Sequence, residues 1–579
     1  MGTQARWLLP ECDSREAEAL AGALGVGGPA ARVLWRRGYR DAEAARRFLA
    51  PSLDDLHDPF LMRGMREALE RLRRAIADSE KILLYGDYDV DGTVSVVLMK
   101  TAIELAGGQA TFHIPHRLKD GYGIHGGAIA EAAAAGVTLV VSLDTGIRAS
   151  AAVAGARALG IDVIVTDHHL PEAVLPPACA VLNPKQPGCA YPEKELCGAG
   201  VAFKLAQALL ASLGWPERKL RRMTESFLKL VAIATVADVV PLTGENRVIV
   251  KHGLEGLRDV RNPGLRALLR VAGIAEGAAP TAGQVAFRIA PRLNAAGRMA
   301  DPNEIVSLLL AQEEEEAQAL AERLHNLNRE RQEAESEIVR AILDDCLAAP
   351  VRDDQAALVF VGKDWHRGVV GIVAARLVER FHRPVFVLAE DAAQGVMQGS
   401  GRSIPAFHLL EALESMPELF LRFGGHRQAA GLTMEAGRIG EFRERLAAYA
   451  AARLKPSDFV RELEVDALLE LREAGEDAAR GVLALEPFGF GNPTPLFAVL
   501  GAQVAGPPAV WRERHLQVCL RQQGRTLMLK AWQFAERAGE LAAGVAADAV
   551  VSLERDEYTG WCAVLRDVRR TGNLGSALN

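Results

Sequence analysis

The chain has 579 residues, with 67 Lys+Arg against 74 Asp+Glu and a formal charge of −7. That length holds roughly three to five domains, and 49% hydrophobic with 24% charged residues is a globular composition, neither disordered nor fibrous. Seven scattered cysteines without a CxxC pair exclude a small disulfide scaffold and the usual structural zinc site, and the acidic total speaks against a basic nucleic-acid coat protein.

Residues 1–50, rich in Ala, Arg and Glu, read as a helical segment. An α/β alternation then begins, with strands expected at 81–86, 110–115, 137–144 and 161–167 and helices between them. This spacing predicts a parallel sheet with crossover helices, which binds ligands at the carboxyl ends of its strands. Residues 168–200 are rich in Pro and Gly and read as loop, and 200–275 as mainly helical. A polar helix is expected over 303–346 as a solvated connector. A second α/β domain follows over 347–453. Short strands with turn signals over 454–572 suggest a small barrel like an oligonucleotide-binding (OB) fold, and 573–579 is a tail. The first domain thus spans 51–302.

No export or membrane segment is visible. The apolar stretch 230–242 is broken by Thr235 and Asp238, whereas a bilayer span needs ~20 apolar residues. The expectation is a soluble cytoplasmic protein.

Three acidic clusters fall at strand ends: Asp87, Asp89 and Asp91 after the first strand, Asp144 after the third, and Asp167-His168-His169 after the fourth. Carboxylates crowded on a tight turn repel one another, and a divalent cation with hard ligands relieves this. A calcium EF-hand is rejected because the twelfth position from Asp87 is Leu98 and the motif follows a strand. A mixed Asp/His set favours Mn²⁺, with Mg²⁺ as the alternative. Adjacent side chains diverge, so one of His168 and His169 binds metal and the other faces substrate. Asp238, the single charge in 230–242, is either a helix-end cap or a fourth ligand position.

DYDVDG, LDTG, DHH and VADVVPL, in this order, resemble the four motifs of the DHH phosphoesterase superfamily. Residues 113–123, 196–205, 290–302, 365–377, 399–404 and 423–431 narrow the resemblance to the RecJ family of single-strand-specific 5′→3′ DNA exonucleases, over residues 50–572. The resemblance implies that Asp87, Asp89, Asp91, Asp144, His168 and Asp238 hold two Mn²⁺ or Mg²⁺ ions. It places His169 beside the scissile phosphate, with Asp144, His168 and His169 as the catalytic group. Hydrolytic relatives often have a His before the paired acids, where this chain has Asp87. The resemblance also implies that Arg117, Ser400, Arg402 and His426 hold the 5′ phosphate or the first nucleotides.

Arg117 reads as a loop residue, and Ser400–Ser403 and Gly425-His426 as Gly-rich polar turns. The GxGxxG at 121–126, containing Tyr122, is rejected as a dinucleotide site because no helix opens on its first Gly; it reads as a loop that approaches nucleic acid. Residues 215–300 hold 14 Lys+Arg against 7 Asp+Glu. Arg288, Arg292 and above all Arg298 are candidates there for strand binding. In the barrel, Trp511, His515, Lys530, Trp532 and Trp561 are candidate stacking or charge contacts, with core packing the commoner fate of such Trp residues. The expected partners are single-stranded DNA and, by resemblance, a single-stranded-DNA-binding protein and a helicase, the chain itself being a monomer. Two other readings compete: a small-substrate phosphodiesterase or pyrophosphatase, against which the barrel and the length speak, and a non-catalytic scaffold, against which the full acidic set speaks.

Overall fold

The structure is a computed structural model and describes residues 5–11, 14–117 and 119–571; the expected tail 573–579 and Cys12 lie outside the described residues. The described residues open with a strand, β1 (Arg6–Leu8), and then three helices, α1 (Ser14–Leu24), α2 (Gly28–Arg36) and α3 (Ala42–Leu49). The purely helical expectation for 1–50 is therefore corrected. β1 forms because it finds a distant partner, β12 (Glu462–Glu464), with which it pairs in parallel. The buried Trp7 Nε1–H donates to Asp567 Oδ2 at 2.8 Å. Leu34 and Phe48 of the N-terminal helices share a core with the C-terminal barrel.

After α4 (Met65–Ala77) come β2 (Ile82–Gly86), α5 (Val90–Leu105), β3 (Ala110–His113), α6 (Gly126–Ala134), β4 (Leu139–Leu143), α7 (Ser150–Ala158) and β5 (Asp162–Thr166). A fifth strand, β6 (Ala180–Leu182), completes a sheet of order β3-β2-β4-β5-β6. All its pairings are parallel. Every residue of β2 and β4 is buried, as continuous apolar runs are when helices cover both faces. β6 corrects the loop reading of 168–200. The helices α8 (Gly198–Ala211), α9 (Glu217–Ala237), α10 (Gly244–Gly256) and α11 (Pro263–Val271) follow. Then come α12 (Ala282–Gln284), a π-helical turn Val285–Ile289, and α13 (Ala290–Met299).

The connector is two helices, α14 (Asn303–Leu310) and α15 (Glu314–Ala348), and not one continuous helix. It is also not wholly solvated. Ala317, Leu324 and Ile342 of α15 are buried, and so are Arg331 and Glu335, which form a 2.6 Å ion pair.

The second α/β domain holds β7 (Leu358–Lys363), α16 (Val370–Phe381), β8 (Val385–Asp391), β9 (Val396–Arg402), α17 (Leu409–Glu414), β10 (Arg422–Gly425), β11 (Ala429–Glu435) and α18 (Ile439–Ala451), with sheet order β10-β11-β9-β8-β7. Only β7 and β8 are parallel. After β12 and β13 (Ala467–Leu468) comes α19 (Glu476–Leu483) and then the barrel strands β14 (Phe497–Val504), β15 (Ala509–Trp511), β16 (His515–Gln522), β17 (Arg525–Ala531), β18 (Ala546–Asp556) and β19 (Gly560–Arg570). The order β14-β18-β19-β17-β16 closes on itself through Gln503↔Arg521 and Val504↔Leu520, which removes the open edges.

Among the described residues no helix is long and apolar enough to cross a membrane.

Candidate metal centre and strand cleft

The parallel sheet brings the carboxyl ends of β2, β4 and β5 to one edge, and the acidic clusters meet there. Asp89 caps α5, its Oδ1 accepting from the N–H groups of Asp91 and Gly92. This fixes the tight turn in which Gly92 is required, because a Cβ there would lie 2.5 Å from Asp87 N. Asp91 is held from the other side by the N-terminus of α8. Its Oδ2 accepts from Gly198 N–H at 2.6 Å and its Oδ1 from Ala199 N–H at 2.8 Å. Gly198 permits this approach; a Cβ on it would sit 2.6 Å from Asp144 Oδ1. Asp144 occupies a left-handed turn with φ +62°. Asp238 is the residue that ends α9.

The side chains converge in overlapping groups, Asp87/Asp89/Asp144, Asp91/His168/Asp238 and Asp144/His168/His169, in each of which the ligand atoms lie within 4.8 Å of one another. His168 Nε2 stands 3.2 Å from Asp144 Oδ1, 3.7 Å from Asp238 Oδ2 and 3.9 Å from Asp91 Oδ2. Yet His168 Nε2, Asp144 Oδ1 and Asp87 Oδ1 are buried without a hydrogen-bond partner. Donor atoms that gather without bonding one another fit hard divalent cations, and the mixed Asp/His set suits Mn²⁺ or Mg²⁺.

The electrostatics agree. Burial and then the neighbouring carboxylates push Asp91 up to about 6 and Asp238 up to about 9. The same causes raise Asp144 and Asp87. Burial, then the charge of His169, brings His168 down to about 3, which favours the neutral imidazole, the form able to bind a cation. Without a cation these acids resist ionising together; a cation reverses that preference.

His169 is placed differently. Its Nδ1 lies 2.7 Å from Asp167 Oδ1 and 3.2 Å from Tyr122 Oη. Burial alone would lower its pKa, but the Asp167 hydrogen bond and charge raise it. Asp167 itself, despite its burial, is held below the usual carboxylate range by His169 and by the backbone N–H groups it accepts from.

A cleft of about 910 Å³ opens between the two α/β domains. Its lining includes Tyr122, His169, Arg117, Arg298, Ser400, Arg402, Gly425 and His426. Burial, then Arg117, Arg402 and Arg331, brings Arg298 down to about 9. Burial and Arg117 also lower Arg402. Guanidiniums gathered in one buried wall are a receptor for an anion. Arg298 also ties the two domains, donating from Nη1 to Gly368 O at 3.0 Å, and the Arg117 guanidinium stacks 4.8 Å over the Tyr88 ring.

Several expectations need correction. Ser400 and Arg402 lie within β9, and Gly425 ends β10, so none sits in a free turn. Arg288 and Arg292 do not line the cleft; Arg292 Nε donates to His325 Nδ1 on the connector. Lys530 is paired with Asp556, and Trp561 is half-buried against the barrel core. Trp511 and Trp532, in contrast, stay exposed at 41% and 42%. Their rings are 5.1 Å apart, with His515 5.4 and 5.0 Å from them.

Sequence reasoning assigns no role to Asp167, to the α8 N-terminus, or to the cleft residues Arg148, Arg367 and Arg422. The Cys-Gly-Ala-Gly at 197–200 is the available signal for the helix N-terminus. The three arginines carry none, since their neighbours come from distant strands.

Family models match three parts of the chain: the DHH family N-terminal domain over 81–235, the DHHA1 domain over 353–452 and the RecJ OB domain over 465–564. The single-stranded-DNA-specific exonuclease RecJ of Bacillus subtilis strain 168 is 38% identical over 558 residues, 96% of this chain and 68% of the relative. The crystal structure of RecJ from Thermus thermophilus in complex with Mn²⁺ matches with a TM-score of 0.82 and 34% identity, covering 98% of this chain and 79% of that one. Its complex with Mg²⁺ matches at 0.76 and 33% identity, covering 98% and 78%.

Proposed function

Since the chain belongs to the RecJ family of single-stranded-DNA-specific exonucleases, we propose that it hydrolyses single-stranded DNA from the 5′ end. It releases 5′-mononucleotides with Mn²⁺ or Mg²⁺, in DNA recombination and repair. The observation that carries this reading is the shared cleft: His169, whose ring belongs to the convergent Asp/His cluster, lines the same space as Arg117, Arg298 and Arg402.

Asp87, Asp89, Asp91, Asp144, His168 and Asp238 hold two ions, which when bound activate water and neutralise charge on the phosphodiester. The protein's own groups do the rest. Arg117, Arg298 and Arg402, with Ser400 and the backbone at Gly425-His426, bind the 5′ phosphate and set polarity. Asp167 holds His169 Nδ1–H, so that Nε2 hydrogen-bonds the reacting phosphate and gives a proton to the departing 3′ oxygen. The space between the two domains admits a single strand, and the exposed Trp511/Trp532 pair stacks bases on the 3′ side of the cleft. The same reading carries a cytoplasmic monomer that works with a single-stranded-DNA-binding protein and a helicase.

One assay tests it. The protein is incubated with Mn²⁺ and 5′- or 3′-labelled single-stranded DNA, duplex DNA, a cyclic dinucleotide and pyrophosphate. Mononucleotide release from free single-stranded 5′ ends alone is expected. Turnover of pyrophosphate or the cyclic dinucleotide in its place overturns the reading.

A further inference from the structure

The turn after Asp238 carries three features that the reaction alone does not explain. The first concerns the carboxylate itself. Asp91 and Asp89 are fixed by backbone N–H donors. Among the described residues no donor holds Asp238, so its direction comes from the backbone that bears it.

The second feature is strain. Val239 has φ +60° and is 63% exposed. A β-branched residue is an outlier in the left-handed region, and it persists only where its surroundings over-determine it. Its own side chain, being exposed, supplies little of that determination.

The third feature supplies the rest. Leu242 N–H, three residues further on, donates to Phe490 O at 2.7 Å. Residues 489–492 are a Gly-Phe-Gly-Asn loop between α19 and the first barrel strand. The loop touches the catalytic domain at backbone distance. A Cβ on Gly491 would lie 2.8 Å from Pro241 Cβ and 3.1 Å from Pro241 Cα, and one on Gly489 would lie 2.7 Å from Leu242 Cδ1. Gly491 also needs its φ of +73°, so no other residue fits there without strain.

The loop is itself rigidly built. Asn492 Nδ2 donates to Leu485 O and Pro487 O at 2.9 and 2.8 Å. The Asn492 Oδ1 accepts from Arg37 of the N-terminal helices. From the catalytic domain, the buried Arg247 donates to Glu486 O at 2.8 Å and to Phe48 O at 2.6 Å, with its guanidinium 3.6 Å over the Phe48 ring.

We propose that residues 489–491 are a latch that fixes the Pro241–Leu242 segment and, through the strained Val239 turn, orients the Asp238 carboxylate. The C-terminal module is thereby a positioning element of the metal centre as well as a strand-binding surface. This inference rests on the metal reading above, and the experiment separates the two.

Mn²⁺ binding to the full-length protein is measured by isothermal titration calorimetry, beside thermal melting. The variants are Gly491→Ala, Asp238→Asn, their combination, and Gly501→Ala. Gly501 is the matched control, a barrel glycine with φ +65° whose Cβ would meet nothing within 4 Å. Gly491→Ala is expected to weaken Mn²⁺ binding about 10-fold, the usual effect of losing support behind a ligand. Gly501→Ala leaves it within 2-fold of wild type, roughly the noise of such comparisons. Added to Asp238→Asn, Gly491→Ala has no further effect. Equal affinities in Gly491→Ala and Gly501→Ala, or an undiminished effect in the Asp238→Asn background, overturn the latch. If wild type binds no Mn²⁺, the metal reading falls instead. Should Gly491→Ala not fold, Gly489→Ala, which meets only the Leu242 side chain, takes its place with the same expectations.

Discussion

Tyr122 Oη stands 3.2 Å from His169 Nδ1, the nitrogen that also lies 2.7 Å from Asp167 Oδ1. One ring nitrogen carries one proton, and the ionised Asp167 is the stronger acceptor. The Tyr122 hydroxyl therefore donates to the Asp144 carbonyl, 3.3 Å away, and its oxygen packs beside the imidazole. Asp167 thus holds the ring through Nδ1–H and favours the imidazolium, whose Nε2–H is then free to donate. Asp167→Asn places an amide N–H against the N–H of Ile147, which in the wild type donates to Oδ2 at 2.9 Å, and removes the charge that raises the His169 pKa. The expected outcome is a kcat lower by about 10²-fold with KM for DNA nearly unchanged, as single-turnover kinetics will read. Tyr122→Phe keeps the Asp167–His169 hydrogen bond and costs only a few-fold.

The metal cluster predicts opposite effects of one substitution on activity and on stability. Asp144→Asn suits the left-handed turn, since Asn tolerates φ +62° far better than Ala. It removes one of the charges that repel Asp91, Asp87 and Asp238. Nuclease activity falls by roughly 10³-fold or more, while the melting temperature in EDTA rises above that of wild type. Mn²⁺ stabilises wild type and not the variant. A lower melting temperature in EDTA would show that the acids are held by contacts other than a cation.

Much of this site is legible in the sequence because a parallel sheet collects its strand ends. The apolar runs at 82–86, 139–143 and 162–166 become strands, and the acids that follow them meet without further information. What escapes is set by tertiary contact. β6 is three residues in a Pro-rich stretch and forms only because β5 offers an edge. Gly399 and Gly401 imitate turn signals around Ser400 and Arg402. They are there because a Cβ would lie 2.1 Å from Val387 O in one case and 2.5 Å from the Phe386 ring in the other. The break between α14 and α15 has no Gly or Pro; Asn262 Nδ2, from before α11, donates to the Leu309 carbonyl at that helix end.

Arg402 tests the polarity reading. Its Nη1 donates to Gly401 O at 2.8 Å, and a Cβ on Gly371 would come within 3.2 Å of its Nη2, so the guanidinium is confined against the cleft wall. A charge-assisted hydrogen bond is worth about 1.5–3 kcal/mol. Arg402→Ala is expected to cut kcat/KM on 5′-phosphorylated strands by roughly 10–100-fold, and much less on 5′-hydroxyl strands. An equal loss on both would assign Arg402 to the fold and not to the phosphate.

The barrel tryptophans test how the strand is held before it reaches the cleft. Trp511 and Trp532 are exposed, tilted at 54° and wedged by His515, an arrangement no barrel core requires. The Arg512 guanidinium sits 4.9 Å from the Trp511 ring, adding a charge beside the aromatic surface. Stacking is worth about 1–3 kcal/mol per base and tolerates any sequence. Trp532→Ala should therefore weaken binding of oligo-dT and mixed-sequence strands alike, by roughly 5–150-fold, as fluorescence anisotropy in EDTA will measure. Because no phosphate contact is lost, the slope of affinity against salt stays unchanged. Arg512→Ala, in contrast, lowers that slope by about one ion. Short oligonucleotides that fill only the cleft are cleaved by Trp532→Ala at the wild-type rate. If instead their turnover falls with that of long strands, the tryptophans support the fold and the strand takes another path.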